Sequence, residues 1–126
     1  MLAALAGVAR AQPTELPSHV SAHFRNGLIF VDATMYGTLG LFLLDTGAGA
    51  TAVDPHYAMA AQLHISRQHE QVTGRGGKLD VRRADPTALT IVGGPQARIA
   101  PVVTDLSQAA HAMGVPLGGI LGEDFL

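Results

Sequence analysis

The sequence has no cysteine and no tryptophan, and aromatic residues make up only 5% of it. Without cysteine there are no disulfides and no thiolate metal sites. Without tryptophan and with few other rings, the core must be aliphatic and rich in Ala and Gly. Charge is scarce as well, at 14% of residues and a net of −2. There is no basic stripe and no basic patch interleaved with aromatics, which excludes nucleic acid as a partner. The densest basic group is Arg82-Arg83 with Lys78 nearby, and a solvated strand face accounts for it. Long apolar runs are missing too, so no segment is expected to span a bilayer stably. What remains is a chain of 126 residues, 48% hydrophobic. That length fits one domain, and that composition supports a packed core rather than disorder.

The first residues, "MLAALAGVARAQPTELP", are small and apolar up to Ala9. Ala9-Arg10-Ala11 fits the small-residue cleavage pattern of a secretory signal. Residues 1–11 are therefore expected to be the remnant of a signal peptide, which implies a periplasmic or secreted protein. Residues 12–23 follow as an N-terminal linker segment, with Pro13 and Pro17 at its start.

The rest of the chain reads as strands separated by Gly-rich turns, with two short helices. Val20 to Phe24 is a short strand closed by the turn signal Asn26-Gly27, and Leu28 to Tyr36 is a longer one. Gly37 to Gly40 is read as a turn, and Leu41 to Leu44 as a short, fully buried strand. Asp54-Pro55 is a helix start, Asp as N-cap and Pro at the first helical position, and the helix is expected over Pro55 to Leu63. Gln68 to Thr73 and Lys78 to Arg83 form a hairpin around Gly74 to Gly77. Ala88 to Val92 and Ala97 to Val103 form a second. Leu106 to Met113 is a helix, and Gly118 to Gly122 a strand. Strands and helices do not alternate regularly, so an all-β, closed or partly closed barrel with one or two short helices is expected, not a doubly wound sheet.

One stretch carries chemistry. "LFLLDTGAGATAVD", Leu41 to Asp54, runs apolar residues straight into a carboxylate and then surrounds it with residues that have almost no side chain. Asp45 is costly at an apolar strand end unless it is paired or hydrogen-bonded. Thr46 offers a hydroxyl. Gly47 lets the backbone bend so that its N–H can meet the carboxylate. Ala48, Gly49 and Ala50 leave open space. A carboxylate so placed suits the holding of a water, and two carboxylates sharing one proton supply both an acid and a base.

"LLDTGAGAT" resembles the active-site loop of the retropepsin-like (retroviral-type) aspartic proteases, a family that includes bacterial single-domain aspartyl proteases. "GGILGEDFL", about 75 residues downstream, resembles the apolar-apolar-Gly element that packs beneath that loop, and "GRGGK" sits where the family has its Gly-rich flap tip. The resemblance covers Phe24 to Leu126. It implies a closed acid-protease barrel over residues 24–126 and an aspartic endopeptidase. Asp45 would be the catalytic residue, supported by Thr46, Gly47 and Ala48. Thr46 would brace two loops across a dimer axis. Gly74, Arg75, Gly76 and Gly77 would form the flap, and Ile120, Leu121 and Gly122 would hold the loop from below. The chain carries one Asp-Thr-Gly, so the dyad would need a homodimer with Asp45 from each copy at a two-fold axis. The substrate would be a peptide or protein, and the chemistry would use no cofactor and no metal.

Two departures from the family pattern stand out. The family continues past the Gly-x-Asp-Phe-Leu element, so the chain is expected to be shortened at its C-terminus. Gly49-Ala50 also replaces the more usual polar pair. A rival reading keeps the barrel without catalysis, as an inactive dimerisation or peptide-binding module. A second would use the six histidines in a metal-dependent hydrolase, but no H-E-x-x-H pattern exists. There is also no G-x-S-x-G for a serine elbow, and "GAGAT" lacks the lysine of a phosphate loop.

Overall fold

The computed structural model describes residues 19–74 and 77–126. They form ten strands and two short helices: β1 (Ala22–Arg25), β2 (Leu28–Met35), β3 (Thr38–Leu44), β4 (Ala52–Val53), α1 (Pro55–Ala60), β5 (Ile65–Gly74), β6 (Gly77–Ala84), β7 (Thr87–Ile91), β8 (Gln96–Ile99), β9 (Val102–Val103), α2 (Ser107–Met113) and β10 (Leu117–Leu121). All ten strands join one sheet in the order β5-β6-β9-β4-β10-β3-β2-β7-β8, with β1 added onto β2. The expected all-β barrel is thus present as a strongly curled half-barrel with two short helices. Among the described residues no helix is long and apolar enough to cross a membrane.

The path of the chain follows from its turns. β1 and β2 are joined by Asn26 and Gly27, both at positive φ (52° and 77°), the backbone that a two-residue hairpin demands. The next turn lies at Tyr36 and Gly37 (φ 49° and 76°), with Met35 opposite Thr38. The turn expected over Gly37 to Gly40 is therefore shorter, and β3 starts early. Gly40 serves packing instead: a Cβ there would lie 2.6 Å from Tyr57 Cε1. It is glycine because the Tyr57 ring packs on the strand, not because the chain turns. The Tyr57 hydroxyl then accepts from Met35 N–H at 3.0 Å and donates to Thr38 C=O at 2.7 Å, pinning α1 to the β2–β3 hairpin. Its ring meets Phe42 edge-on, 5.3 Å between centroids.

The segment expected as one strand over Ala97 to Val103 is two. β8 ends at Ile99 and β9 is only Val102–Val103. Pro101 separates them, because it has no N–H to continue the ladder. Its carbonyl accepts from Ala84 N–H at 2.9 Å, and β9 moves away from β7 to lie between β6 and β4.

The core divides in two. The larger part includes Val31, Met35, Phe42, Val53, Tyr57, Leu89 and Leu121. The smaller one lies under α2 and holds Phe30, Leu43, Leu106 and Leu117. Together they are mostly aliphatic, as the composition requires.

At the edge of this core Asp32, on β2, accepts a hydrogen bond from Ser21 Oγ and pairs with His23 Nε2 at 2.9 Å, fastening β1 and the residues before it to β2. The Ser21 hydrogen bond, and next the His23 one, hold its carboxyl below the usual value of 3.8, against a smaller upward push from burial. A carboxylate lowered on folding adds stability above its unfolded pKa and loses it as the pH falls through the folded one. The wild type is therefore expected to lose stability below about pH 4, and Asp32→Asn to show a flatter profile there. Urea midpoints measured between about pH 3 and pH 6 check this.

Candidate functional site

Asp45 stands where β3 ends. β3 and β4 lie on opposite sides of β10, the first parallel to it and the second antiparallel. The loop from Asp45 to Thr51 that connects them must therefore arch over the C-terminal end of β10. The sheet topology alone puts "DTGAGAT" on top of "ILG". Ile120 pairs with Leu43 and Leu121 with Leu44. Asp45 N–H then donates to Leu121 C=O at 3.0 Å, so the aspartate's backbone continues the ladder while its side chain leaves it.

Asp45 is half-buried, and its Oδ1 accepts from Gly47 N–H at 2.9 Å. Thr46 and Gly47 are exposed and Ala48 half-buried. Ala48 N–H closes the turn onto Asp45 C=O at 3.1 Å. Gly122 is buried directly beneath, and a Cβ there would lie 2.7 Å from Ala48 O and 2.7 Å from Ala50 C. The arch can sit this low only over a glycine.

Two further residues hold the arch, and local patterns do not reveal either. Asp124 reaches back across 73 positions to accept from Thr51 N–H (2.9 and 3.0 Å to its two oxygens) and from Thr51 Oγ1 (2.7 Å). Thr51, fully buried, in turn accepts from Gly122 N–H at 3.1 Å. Glu123 N–H donates to Ala48 C=O at 2.8 Å. The residues after β10 thus form a clamp on the loop, with Asp124 as its anchor. Asp124→Ala should leave the Thr51 N–H and the Thr51 hydroxyl hydrogen without an acceptor. The expected cost is about 2 kcal/mol, read as a lower urea midpoint at unchanged slope.

Asp54 also does more than cap α1. Its Oδ2 accepts from His56 N–H at 2.9 Å, while Oδ1 accepts from Leu106 N–H at 3.0 Å. One buried carboxylate therefore ties the start of α1 to the start of α2. Asp105 adds a second turn there, accepting from Ser107 N–H at 2.8 Å. Hydrogen bonds from Ser107 hold its carboxyl below the ordinary value.

Above Asp45 lies a cleft of about 870 Å³ between the arch, the β5–β6 hairpin and α2. Its lining is mostly apolar, with Leu43 and Ile120 from the floor, Val72 and Leu79 from the hairpin and Met113 from α2. The hairpin is longer than the sequence suggests, starting at Ile65 and ending at Ala84. Gly74 faces Gly77 at its tip. Arg75 and Gly76, the other two residues expected in the flap, lie outside the described residues, as do residues 1–11 and the first part of the linker. The basic group does not form one solvated face. Arg83 lines the cleft. The residue order of β6 puts Arg83 on the same side as Leu79 and Val81, and puts Lys78 and Arg82 on the other.

Four of the six histidines pair singly with aspartates: His23 with Asp32, His56 with Asp54, His64 with Asp85 and His69 with Asp80. Among the described residues no three potential metal ligands come together.

A half-barrel that presents one strand-end aspartate to a cleft, with a glycine-ended strand packed beneath it, is the architecture to compare with known proteins. A family model described as aspartyl protease matches residues 31–125, and the chain belongs to this family. Membership points to peptide bonds as the substrate. No curated protein matches the chain.

Proposed function

We propose that the chain is an aspartic endopeptidase whose dyad is Asp45 from each of two identical protomers. One observation carries the reading. Among the described residues, Asp45 is the single carboxylate lining a large and otherwise mostly apolar cleft, so the second acid has to come from a second copy. Several features support this. The arch is exposed at Thr46 and Gly47, where a two-fold axis would bring its copy. Thr46 would bond the partner loop. The β5–β6 hairpin would close over an extended substrate and hold it by backbone hydrogen bonds.

In the dyad, two carboxylates about 3 Å apart cannot both ionise, the established behaviour of aspartic-protease pairs. The ionised one takes a proton from a water held between them. The water oxygen forms a bond to the peptide carbonyl carbon. The protonated carboxyl gives its proton to the carbonyl oxygen. On collapse of the tetrahedral diol one hydroxyl returns its proton to the ionised carboxylate as C=O re-forms, the C–N bond breaks, and the departing nitrogen takes up the proton held by the other carboxyl, which restores the singly protonated dyad. The cycle uses no metal and no covalent intermediate. The Ala9-Arg10-Ala11 pattern extends the proposal to an exported, periplasmic or secreted enzyme.

Purified protein should cleave a peptide substrate, with sensitivity to a pepstatin-type inhibitor and insensitivity to chelators. Asp45→Asn should abolish that cleavage. Retained cleavage in Asp45→Asn contradicts the proposal. The same fold without cleavage in the wild type favours a non-catalytic peptide-binding or dimerisation module instead.

A further inference from the structure

Arg83 is out of place by the logic of its own strand. β6 turns Leu79, Val81 and Arg83 to one side, and all three line the cleft. Two of these positions are aliphatic and the third is a guanidinium. Its neighbour across the sheet, Val102, opposite Arg83 in the β6–β9 register, is also aliphatic and lines the same cleft. Arg83 and Asp45 are the two charged side chains among the described lining residues. Putting a cation in an apolar lining costs desolvation that an aliphatic residue would avoid.

The partners Arg83 has do not use it up. Nη1 donates to Ala100 C=O at 3.4 Å, and Nη2 lies 3.5 Å from one Glu70 oxygen. Both contacts are long, neither is bidentate, and the side chain stays 40% exposed. A guanidinium carries five N–H donors in a fixed fork that matches a carboxylate two-on-two. Glu70 faces Val81 across the β5–β6 pair, so it lies on the same side of the hairpin and holds Arg83 in place with a weak, screened contact.

We infer that Arg83 is a specificity-determining residue that selects a peptide with an acidic side chain, binding its carboxylate in an otherwise apolar cleft. This rests on the endopeptidase reading above and names the substrate class for it. Binding exchanges the single Glu70 contact for a bidentate one with the substrate carboxylate. Apolar side chains of the same peptide fill the space lined by Leu43, Val72, Leu79 and Ile120.

The test uses matched peptides that differ only by Glu, Gln or Lys at each position in turn, at about pH 6, where a free Glu side chain is ionised. Cleavage is followed as kcat/KM with the wild type. Binding is followed by fluorescence anisotropy with the uncleaving Asp45→Asn form. At one position Glu should exceed Gln by about tenfold, the value of one charge-assisted pair, and Lys should be the poorest. Arg83→Gln should bring the Glu-to-Gln ratio to about one, and Arg83→Glu should favour Lys. Glu70→Gln, a change at a half-exposed site, should raise the ratio above that of the wild type. A ratio that is flat in the wild type, or unchanged in Arg83→Gln and Glu70→Gln alike, overturns the inference while leaving the protease reading standing. A Glu preference in binding that depends on Arg83, with no cleavage by the wild type, has the opposite meaning: the acidic site stands and the catalytic reading falls.

Discussion

Replacing Asp45 with asparagine is expected to lower peptide cleavage by at least about 10³-fold with almost no effect on the fold. The two halves of that expectation have separate causes. Asparagine keeps a carbonyl oxygen where Oδ1 accepts from Gly47 N–H, so the turn keeps its side-chain hydrogen bond. The backbone N–H of residue 45 still bonds Leu121 C=O. Stability should change by less than about 0.5 kcal/mol. Catalysis has no such substitute, because an amide cannot take a proton from water or return one to a carbonyl oxygen. A dimer of the variant holds two amides and so has neither the base nor the acid the reaction needs. The measurement is kcat/KM on one peptide for both proteins, beside their urea midpoints. A variant that loses activity only because it unfolds would show the loss in both.

Gly122→Ala is expected to cost a large part of the stability of the arch, because the added methyl has no room beneath it. The new Cβ would sit 2.7 Å from Ala48 O, 2.7 Å from Ala50 C and 2.8 Å from Ala50 O. All three are backbone atoms, so no side chain can rotate aside. The arch must rise, or β10 must drop, and either breaks the hydrogen bond from Gly122 N–H to Thr51 Oγ1. Overpacking of this kind costs about 3 kcal/mol. The displacement also moves Asp45, and a shift of about 1 Å at a working group can cost about 10²-fold in rate. Gly49→Ala is the control, since a Cβ at Gly49 meets nothing within 4 Å. It should unfold at nearly the wild-type urea concentration. Comparable losses in both variants would mean that the arch is sensitive to any added bulk, and not to the crossing over β10.

These two expectations rest on features of different legibility. Asp45 is readable because its signal is local: an apolar strand, a carboxylate, then a run of small residues. The helix start at Asp54-Pro55 is readable for the same reason, and α1 begins at Pro55. Its end is less clear, and the helix stops at Ala60 rather than Leu63, because nothing in "AAQL" punctuates it. β4 has two residues and is too short to show any period. It exists because β10 and β9 offer edges on both sides. The Asp124–Thr51 clamp joins residues 73 apart, and no local pattern can announce such a pair. The sequence marks Asp124 only as part of Gly-x-Asp-Phe-Leu, and the reason for that aspartate appears once the arch is seen to need an anchor. Gly40 is legible as a glycine but not in its purpose, since close packing on Tyr57 and a tight turn leave the same letter. Arg83 sits beside Arg82 in sequence and reads as its companion, although alternation along β6 separates the two.

The central claim is that the working acid pair is assembled from two chains. Mixing wild-type protein with Asp45→Asn at fixed total concentration tests it directly, provided the subunits are allowed to exchange. If the dyad is shared, only wild-type pairs cleave, and activity follows the square of the wild-type fraction, so an equal mixture retains about a quarter of the starting rate. If one chain suffices, activity follows the fraction itself and about half remains. A quarter is the expected result, and a linear decline would contradict a dyad shared between two chains.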